Sequence, residues 1–457
     1  MKICKVFAGA LAAALLAGTF AGCGAKVGSG SGDVTEVTIW SNYSHSKSVM
    51  NRLVQQYNEN EGKQKGIKIV YEVKEGDYNN TLKMAIAAGT QPDIGMAYNG
   101  ANAKDGVIVP LDEFDGGAEL LAKYEEKFPT YGLIDGKKYS IPYSAVMRGM
   151  IYNKEMFKAA GIVDENGEAK PPETWDEVRE YAKRLTNPAK KEYGIVFPIK
   201  EGGFWITHDM LSPGFSSIGY CGYDPRTGNF DYTPYKPIFD TIMGIKEDGS
   251  YFPGAEGLTN DPARARFSEG GIGMKFAFSW DVGVLNDQFP AQIDWGVAPY
   301  PVVDVNNKYK QLQSVNGSFA IFKASTENKD KNKIFEAYKW FHSDDVMTEL
   351  YNNCMEFPPM EGMVKETKND NMKKGWTDFA QFIPYSVVQP QAAETDVSGQ
   401  PTLADLFINN VWTGNMTTDE CLKEYTKIMN DGKAKYQQLH PDYDPSYTIN
   451  KNWDVKR

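Results

Sequence analysis

From residue 34 onward, short strand-like segments alternate with amphipathic helix-like segments, and no other feature constrains the architecture as strongly. The segment VTEVTIW (residues 34–40) is short and rich in β-branched residues, and Ile67 to Val73 and Ile94 to Ala97 have the same character. Between the first two of these, apolar residues recur at helical spacing from Val49 to Tyr57. Strands that alternate with helices predict an α/β domain with a mostly parallel sheet.

The same alternation continues downstream. The segment TWDE (residues 174–177) has the form of a capping box, which marks the start of a helix. Gly271 to Phe278 and Gly296 to Ala298 have the character of strands, and the apolar spacing from Ile334 to Phe341 predicts a helix. After about residue 343 the sequence predicts helices and loops.

Length and charge limit the function classes. A chain of 457 residues is too long for one small core, so we expect two or three domains. The formal charge is −11 and no block of lysine and arginine occurs, which argues against a nucleic-acid partner because such binding depends on neutralising phosphates. Trp, Tyr and Phe make up 13% of the chain, enough to supply a core and also the flat walls of a binding cleft.

The first 23 residues have the pattern of a targeting sequence. Lys2 and Lys5 precede an apolar run from Val6 to Phe20, which predicts a secretory signal peptide over residues 1–22. The ending FAGC resembles the bacterial lipobox, in which the cysteine is lipidated, and this implies a lipid anchor on Cys23. Residues 23–33 would then be the lipidated cysteine and a flexible Gly/Ser tether. The alternative is an ordinary signal peptide in which Cys23 has no special role.

Three cysteines remain beyond Cys23, namely Cys221, Cys354 and Cys421. None has metal-ligand spacing to another, and an odd number does not form a complete disulfide framework. We therefore expect small buried thiols, with no metal site and no cofactor.

Polar and aromatic residues follow two strands of the predicted sheet. Asn42 and Tyr43 follow the first strand, and Tyr98 and Asn99 follow the third. In open parallel sheets ligands bind outside the carboxyl ends of the strands, so these residues are candidates for ligand binding. The competing interpretation is that they only form turns. His45 is expected to be a surface or capping residue, and Asp93 a structural one.

The order of several motifs resembles the family 1 extracellular solute-binding proteins of ABC importers, which include the maltose-binding protein. The TIW strand and GTQPDIGM come first, followed by YSIPYSAVMRGMIYNKEMF and PPETWDE. SEGGIGMKFAFSWD, WGVAPYP and SVNGSFAIF complete the series, and the resemblance spans roughly residues 34 to 450.

The resemblance implies the two-lobe periplasmic-binding-protein fold of type II, with the ligand cleft between two α/β lobes that are joined by strand crossovers. Lobe 1 would comprise residues 34–145 and about 302–345, and lobe 2 about 146–301 and 346–457. It also implies a carbohydrate ligand, most simply an oligosaccharide, and ABC importer permease subunits as partners. The protein would be an extracytoplasmic monomer, anchored to the outer face of the bacterial membrane.

Family members commonly place a sugar-stacking Trp after the Gly-rich strand, which here corresponds to Trp280, followed by Asp281. The loop containing Phe204 and Trp205 supplies aromatic plates in the maltodextrin-binding relatives. For each aromatic residue the competing interpretation is a place in the core.

The remaining candidates lie at the expected first crossover and in the later motif SVNGSFAIF. Tyr143, Ser144 and Arg148 fall at the first crossover, where Arg148 could bind a sugar hydroxyl or a carboxylate, or join the lobes by an ion pair. Asn316 falls in the SVNGSFAIF segment, where the competing interpretation is strand-turn geometry.

Two other functions stay open on the sequence. A glycoside hydrolase would need a pair of carboxylates, and no local motif singles one out among the 60 acidic residues. No nucleophile elbow or HExxH motif occurs either, so we do not expect an enzyme. The same fold could instead bind a non-sugar solute such as an iron chelate, a polyamine or a phosphorylated compound.

Overall fold

The computed structural model describes residues 34–365, 367 and 372–457. The predicted signal peptide (1–22), the predicted lipidation site Cys23 and the tether up to residue 33 lie outside the described residues. The described chain forms two α/β lobes, each built on its own sheet.

The first sheet has five strands, in the spatial order Ile67–Val73, Thr35–Ser41, Ile94–Met96, Phe319–Phe322, Ile108–Val109. The first three run parallel, as the sequence predicts. Phe319–Phe322 runs antiparallel to both of its neighbours, because the chain re-enters this sheet from the other lobe. The sheet is therefore mixed, and the expectation of a mostly parallel sheet is wrong at this strand.

Helices pack on this sheet through the faces that the sequence predicts. Helix Lys47–Glu59 buries Val49, Met50, Leu53, Val54 and Tyr57, the residues at helical spacing. Tyr57, Phe335 and Phe341 join the same core as the sheet residues Val37 and Ile39. The α-helices of this lobe are Lys47–Glu59, Glu61–Lys65, Tyr78–Ala88, Gly100–Lys104, Gly117–Glu125, Lys323–Asn328, Lys331–Phe341 and Asp344–Asn352.

The second sheet has four strands, in the order Trp295–Ala298, Arg148–Asn153, Ile272–Phe278, Tyr193–Ile195. Arg148–Asn153 is antiparallel to both neighbours, and only Tyr193–Ile195 pairs in parallel with Ile272–Phe278. A mostly parallel sheet is therefore wrong for this lobe as well. The reason is again that Arg148–Asn153 enters directly from the crossover and not from a helix on the sheet's face.

Helices also surround the second sheet. The predicted capping box is confirmed, since the Thr174 side chain accepts from the Glu177 backbone and the Glu177 side chain accepts from the Thr174 backbone. The α-helices of this lobe are Lys154–Ala159, Trp175–Leu185, Gly203–Ile206, Ser212–Ile218, Lys236–Glu247, Asn260–Ser268, Asp281–Gly283, Trp376–Ala380, Leu403–Leu406 and Thr418–Leu439. Among the helices in the described part of the chain, none has both the length and the apolar character needed to cross a bilayer.

Two short antiparallel strands connect the lobes. Ser144–Val146 leads from the first lobe into Arg148–Asn153, and Ser314–Asn316 leads back to Phe319–Phe322. They pair with each other, Ser144 opposite Asn316 and Val146 opposite Ser314. We call these two segments the crossover strands.

Candidate functional site

A cavity of about 450 Å³ lies beside the crossover strands, and we call it the Trp280 cavity. Ala145, Val146 and Asn316 of the crossover strands line it, together with Trp280 of the second lobe and His45 of the first. Segments that follow the helix Asp344–Asn352 complete the wall with Met355, Glu356, Phe357 and Trp376. The volume is in the range of ordinary small-molecule sites, and the wall combines aromatic rings with a few polar groups.

Trp280 is held at this cavity by the turn that follows a buried strand. Every residue of Ile272–Phe278 is buried, whereas Trp280 is 44% exposed. Its ring stacks on Phe278 with centroids 4.4 Å apart and planes 27° apart. One face of the indole is therefore supported by the protein while other surface stays open to the cavity, which suits a stacking plate.

Asp281 fixes the turn and does not line the cavity. Its side chain is 1% exposed, accepts a hydrogen bond from the Phe278 backbone at 2.9 Å, and forms an ion pair with Arg264 at 2.5 Å. The sequence placed Asp281 at the ligand; the structure places it behind Trp280, where it orients the turn. A buried carboxylate needs such partners because desolvating an unpaired charge is costly.

The polar groups of the cavity include a contact between distant parts of the chain. His45 Nε2 lies 2.6 Å from Glu356 Oε1, and Glu356 is almost completely buried. Burial lowers the pKa of His45, but the hydrogen bond to Glu356 and the charge of that carboxylate together raise it above the ordinary value. His45, expected only to cap a helix or face solvent, therefore lies in the cavity wall.

Asn316 and Trp376 are two further residues of the cavity wall with polar side-chain atoms. Asn316 contributes a half-buried side-chain amide. The indole N–H of Trp376 is buried and has no hydrogen-bond partner in the part of the chain that the structure describes. Because this N–H is buried, it does not face the cavity, and Trp376 contributes to the wall through its ring.

Aromatic rings extend from Trp280 toward Phe204. Phe278 lies 4.8 Å from the ring of His208, and His208 lies 4.0 Å from Phe204, which is half-buried. Phe204 thus belongs to the aromatic layer that supports Trp280 and does not itself line the Trp280 cavity.

Arg148 anchors the crossover from the second lobe. It is 6% exposed, and its Nη1 donates to Ser212 Oγ at 2.6 Å while Nη2 donates to Ser314 Oγ. Nη1 also lies 2.9 Å from His208 Nδ1. Burial, followed by the charges of Arg148 and Lys275, lowers the pKa of His208 to about 3, so this ring is neutral and Nδ1 accepts. Arg148 therefore acts on the strands that join the lobes and not on the cavity.

Three predicted residues are buried in the cores. Trp205 is fully buried, with Phe197, Phe407 and Trp412 around it, so it is removed from the site. Tyr143 stacks on Phe341 with centroids 4.6 Å apart, and Ser144 is also fully buried. Tyr143 and Ser144 lie at the first crossover, as expected, but their side chains point into packed protein.

The candidate residues that follow strands of the first sheet do not come together at one site. Asn42 is exposed and Tyr43 is half-buried against Tyr143, with ring centroids 6.1 Å apart; neither lines the Trp280 cavity. Asn99 is exposed and caps the helix Gly100–Lys104 by accepting from the Asn102 backbone at 2.8 Å.

Tyr98 lines a different cavity, of about 620 Å³, which we call the Tyr98 cavity. Its walls come from the first lobe and from segments near residues 310, 383–391 and 450–455. Of the predicted ligand-binding residues, the structure thus brings Trp280 and Asn316 to one cavity and Tyr98 to another.

Sequence reasoning missed Glu356 and Trp376 and undervalued His45. No local pattern marks them, since Glu356 and Trp376 lie in a region read only as helices and loops. The sequence gives one indication for His45, which lies two residues after the strand-end candidate Tyr43.

Two α/β lobes, joined by paired crossover strands with an aromatic-walled cavity beside them, define a two-lobe solute-binding protein of the maltose-binding type. The same architecture occurs in a sugar-binding protein from Xanthomonas citri, with a TM-score of 0.68, 16% identity, and coverage of 90% of this chain and 100% of that one. A cyclic alpha-maltosyl-1,6-maltose binding protein from Arthrobacter globiformis gives a TM-score of 0.67 at 18% identity, covering 88% of this chain and 100% of that one.

Residues 43–348 match the family of bacterial extracellular solute-binding proteins, and the chain belongs to that family. The maltotriose-binding protein of Pyrococcus abyssi is 28% identical over 343 residues, which cover 71% of this chain and 67% of that protein. The sn-glycerol-3-phosphate-binding periplasmic protein of Brucella melitensis is 25% identical over 364 residues, covering 74% and 77%. The predicted class is confirmed: this is an extracytoplasmic solute-binding protein, and its family is one of binding proteins and not of enzymes.

Proposed function

We propose that the protein captures a carbohydrate in the Trp280 cavity and delivers it to the permease subunits of an ABC importer. The observation that carries this proposal is the exposed face of Trp280, backed by Phe278, beside the strands that connect the lobes. Relatives named for maltotriose and for a cyclic maltosyl-maltose support a carbohydrate as the ligand class.

The cavity wall matches what a sugar ring requires. A pyranose presents an apolar face of C–H groups, which an indole covers, and a rim of hydroxyls that need hydrogen-bond partners. Asn316, His45 and Glu356 supply polar groups in the wall, and a hydroxyl left unpaired after burial would cost about 1–3 kcal/mol. Stacking gives affinity, and pairing of the hydroxyls gives selectivity.

We further propose that the lobes close on the ligand as a hinged pair. Sheet membership supports a first lobe that includes residues 34–145, but it favours a return to that lobe at about residue 314 and not at 302. Val302 bridges to Thr174 of the second lobe, and Gln311–Leu312 pairs with Ser386–Val387. The helix Asp344–Asn352 extends the first lobe, since Val346 and Leu350 pack into its core and Arg52 pairs with Glu349 at 2.9 Å. The resemblance to the family implies a third crossover near Asp344 to Tyr351, and we propose that it lies after about residue 352. The protein is proposed to act as a monomer.

Membrane anchoring is proposed through lipid on Cys23, after removal of residues 1–22. The apolar run that ends in Phe20-Ala21-Gly22-Cys23 supports this. A Cys23→Ser variant expressed in a bacterial host should move from the membrane fraction to the soluble extracytoplasmic fraction. Cys221→Ser serves as the matched control and should stay with the membrane; an anchored Cys23→Ser protein would contradict lipidation.

Replacement of Trp280 by alanine tests the carbohydrate proposal. Loss of about 60 Å² of apolar contact, at about 25 cal/mol per Å², weakens binding by roughly 1.5 kcal/mol, or about tenfold. A thermal-shift screen of mono- and oligosaccharides identifies the ligand, and titration calorimetry then compares Trp280→Ala with Trp280→Phe, which keeps a ring. Unchanged affinity in Trp280→Ala, with the melting temperature of the free protein preserved, would remove Trp280 from the site.

A further inference from the structure

The Tyr98 cavity lies between the first lobe and the C-terminal segments, and none of the described residues lines both this cavity and the Trp280 cavity. Tyr98 and Tyr131 form one wall, with ring centroids 6.1 Å apart. Trp453 and Gln389 belong to the opposite segments. The cavity therefore has aromatic surface on both sides, like a ligand site, although the proposed function does not use it.

Three lysines line this cavity, and they differ in their partners. Lys123 forms an ion pair with Asp344 at 2.6 Å. Lys127 and Lys310 are half-buried, and neither forms an ion pair within the described part of the chain. The two come from different parts of the wall. Lys127 follows the helix Gly117–Glu125 of the first lobe, while the Lys310 backbone N–H donates to the carbonyl of Val455 at 2.8 Å.

The cavity also contains carboxylates, but none of them forms an ion pair with Lys127 or Lys310 within the part of the chain that the structure describes. Glu126, Glu361 and Asp454 also line it, but all three are exposed. Burial lowers the pKa of Lys127 to about 8; the charge of Glu361 opposes this shift and that of Lys310 adds to it. Desolvation is the largest of these effects, and a partly desolvated ammonium group without an ion-pair partner is unfavourable. A bound anion would supply that partner.

We propose that the Tyr98 cavity binds the carboxylate or phosphate group of a small organic anion, with the ammonium groups of Lys127 and Lys310 as its anchors. Charge-assisted hydrogen bonds to an oxyanion are stronger than neutral ones, and lysine binds phosphate and carboxylate as a compact point charge. Tyr98 and Trp453 supply the apolar surface for the body of the ligand. This site goes beyond the proposed function, because it selects for charge where the Trp280 cavity selects for a neutral ring.

Titration calorimetry of the mature chain against glucuronate, inorganic phosphate and glucose tests the site. We expect glucuronate or phosphate to bind to the wild-type protein, and the affinity to fall at least tenfold in the Lys127→Gln, Lys310→Gln double variant. The Lys127→Arg, Lys310→Arg variant keeps both charges and should retain binding. Lys123→Gln is the matched control, since that lysine lines the same cavity but is already paired.

Two results would overturn the proposal: neither anion binds to the wild-type protein at millimolar concentration, or the double glutamine variant binds as tightly as wild type. Each single glutamine variant is measured as well, with its circular dichroism spectrum, so that loss of the fold is recognised. Trp280→Ala should retain anion binding while losing sugar affinity. Failure of one site is thereby distinguished from failure of the other.

Discussion

His45 and Glu356 are 311 positions apart in the sequence, yet their side chains meet at 2.6 Å in the wall of the Trp280 cavity. His45 lies just beyond the first strand of the first lobe. Glu356 precedes Phe357, whose carbonyl accepts from the Ala145 backbone of a crossover strand at 2.9 Å. The pair therefore connects the first sheet to the segment that runs alongside the crossover.

The His45–Glu356 pair predicts a pH-dependent contribution to stability. Because the pKa of folded His45 is raised above the ordinary value of 6.5, its contribution is fully present below about pH 6.5 and disappears as pH rises through the raised pKa. The melting temperature of wild type should exceed that of His45→Gln by roughly 1–2 °C near pH 6, since a half-exposed pair stabilises only weakly. The difference should vanish near pH 9.

His208 and His342 do not change charge in this pH range and therefore do not disturb the comparison. Burial lowers the pKa of His208 to about 3 and that of His342 to about 4, so both stay neutral over the range. Asp287 and Lys373, which also line the cavity, pair with each other at 2.5 Å. Glu356→Gln should reproduce the His45→Gln profile. A difference between wild type and His45→Gln that stays constant from pH 6 to pH 9 would contradict the assignment.

The contrast between Trp280 and Trp205 shows where sequence reasoning stops for single residues. Both follow glycine-containing segments, and both were expected at the ligand. Trp280 comes directly after a fully buried strand, so its turn must emerge from the core. Trp205 lies in the helix Gly203–Ile206, which is too short for a pattern of apolar residues to reveal the buried face. Only the packing against Phe407 and Trp412 shows its direction.

Strand and helix positions were predictable because local chemistry determines them. The second strand occupies Ile67–Val73 as expected, and the first lies at Thr35–Ser41, one residue from its expected bounds. The capping box at Thr174 depends only on residues within one helical turn. Strand direction is different, because it depends on where the chain comes from. Phe319–Phe322 and Arg148–Asn153 each enter a sheet from the opposite lobe, and no local pattern encodes that.

The crossover strands also explain why the cavity residues were only partly predictable. Asn316 is a candidate because it lies in the SVNGSFAIF motif, and it does line the Trp280 cavity. The helix Asp344–Asn352 then carries the chain past the first lobe core before Glu356 and Trp376 reach the cavity. The wall is thus assembled from segments separated by tens to hundreds of residues, whose meeting depends on the arrangement of both lobes.

At the scale of the whole molecule, each lobe has its own hydrophobic cores, and this separation allows the lobes to move relative to each other. Two hydrophobic cores pack against the first sheet, and two others pack against the second. The two crossover strands are short and pair at three positions, Ser144–Val146 with Ser314–Asn316. Rotation about such short strands changes few contacts within either lobe. A ligand that touches both lobes therefore shifts the equilibrium between open and closed forms.

Ligand binding should therefore both compact and stabilise the protein. Small-angle X-ray scattering should show a smaller radius of gyration with saturating sugar. The melting temperature should also rise because the ligand binds only the folded state, which increases the free energy of unfolding by about 2.7 kcal/mol at one hundred times Kd. Trp280→Ala, measured at the same sugar concentration, should show a reduced change in both quantities. If the melting temperature rises while the radius of gyration stays constant, the sugar occupies the cavity without moving the lobes. The crossover strands would then be rigid connectors, and selection of the solute would depend only on the shape of the Trp280 cavity.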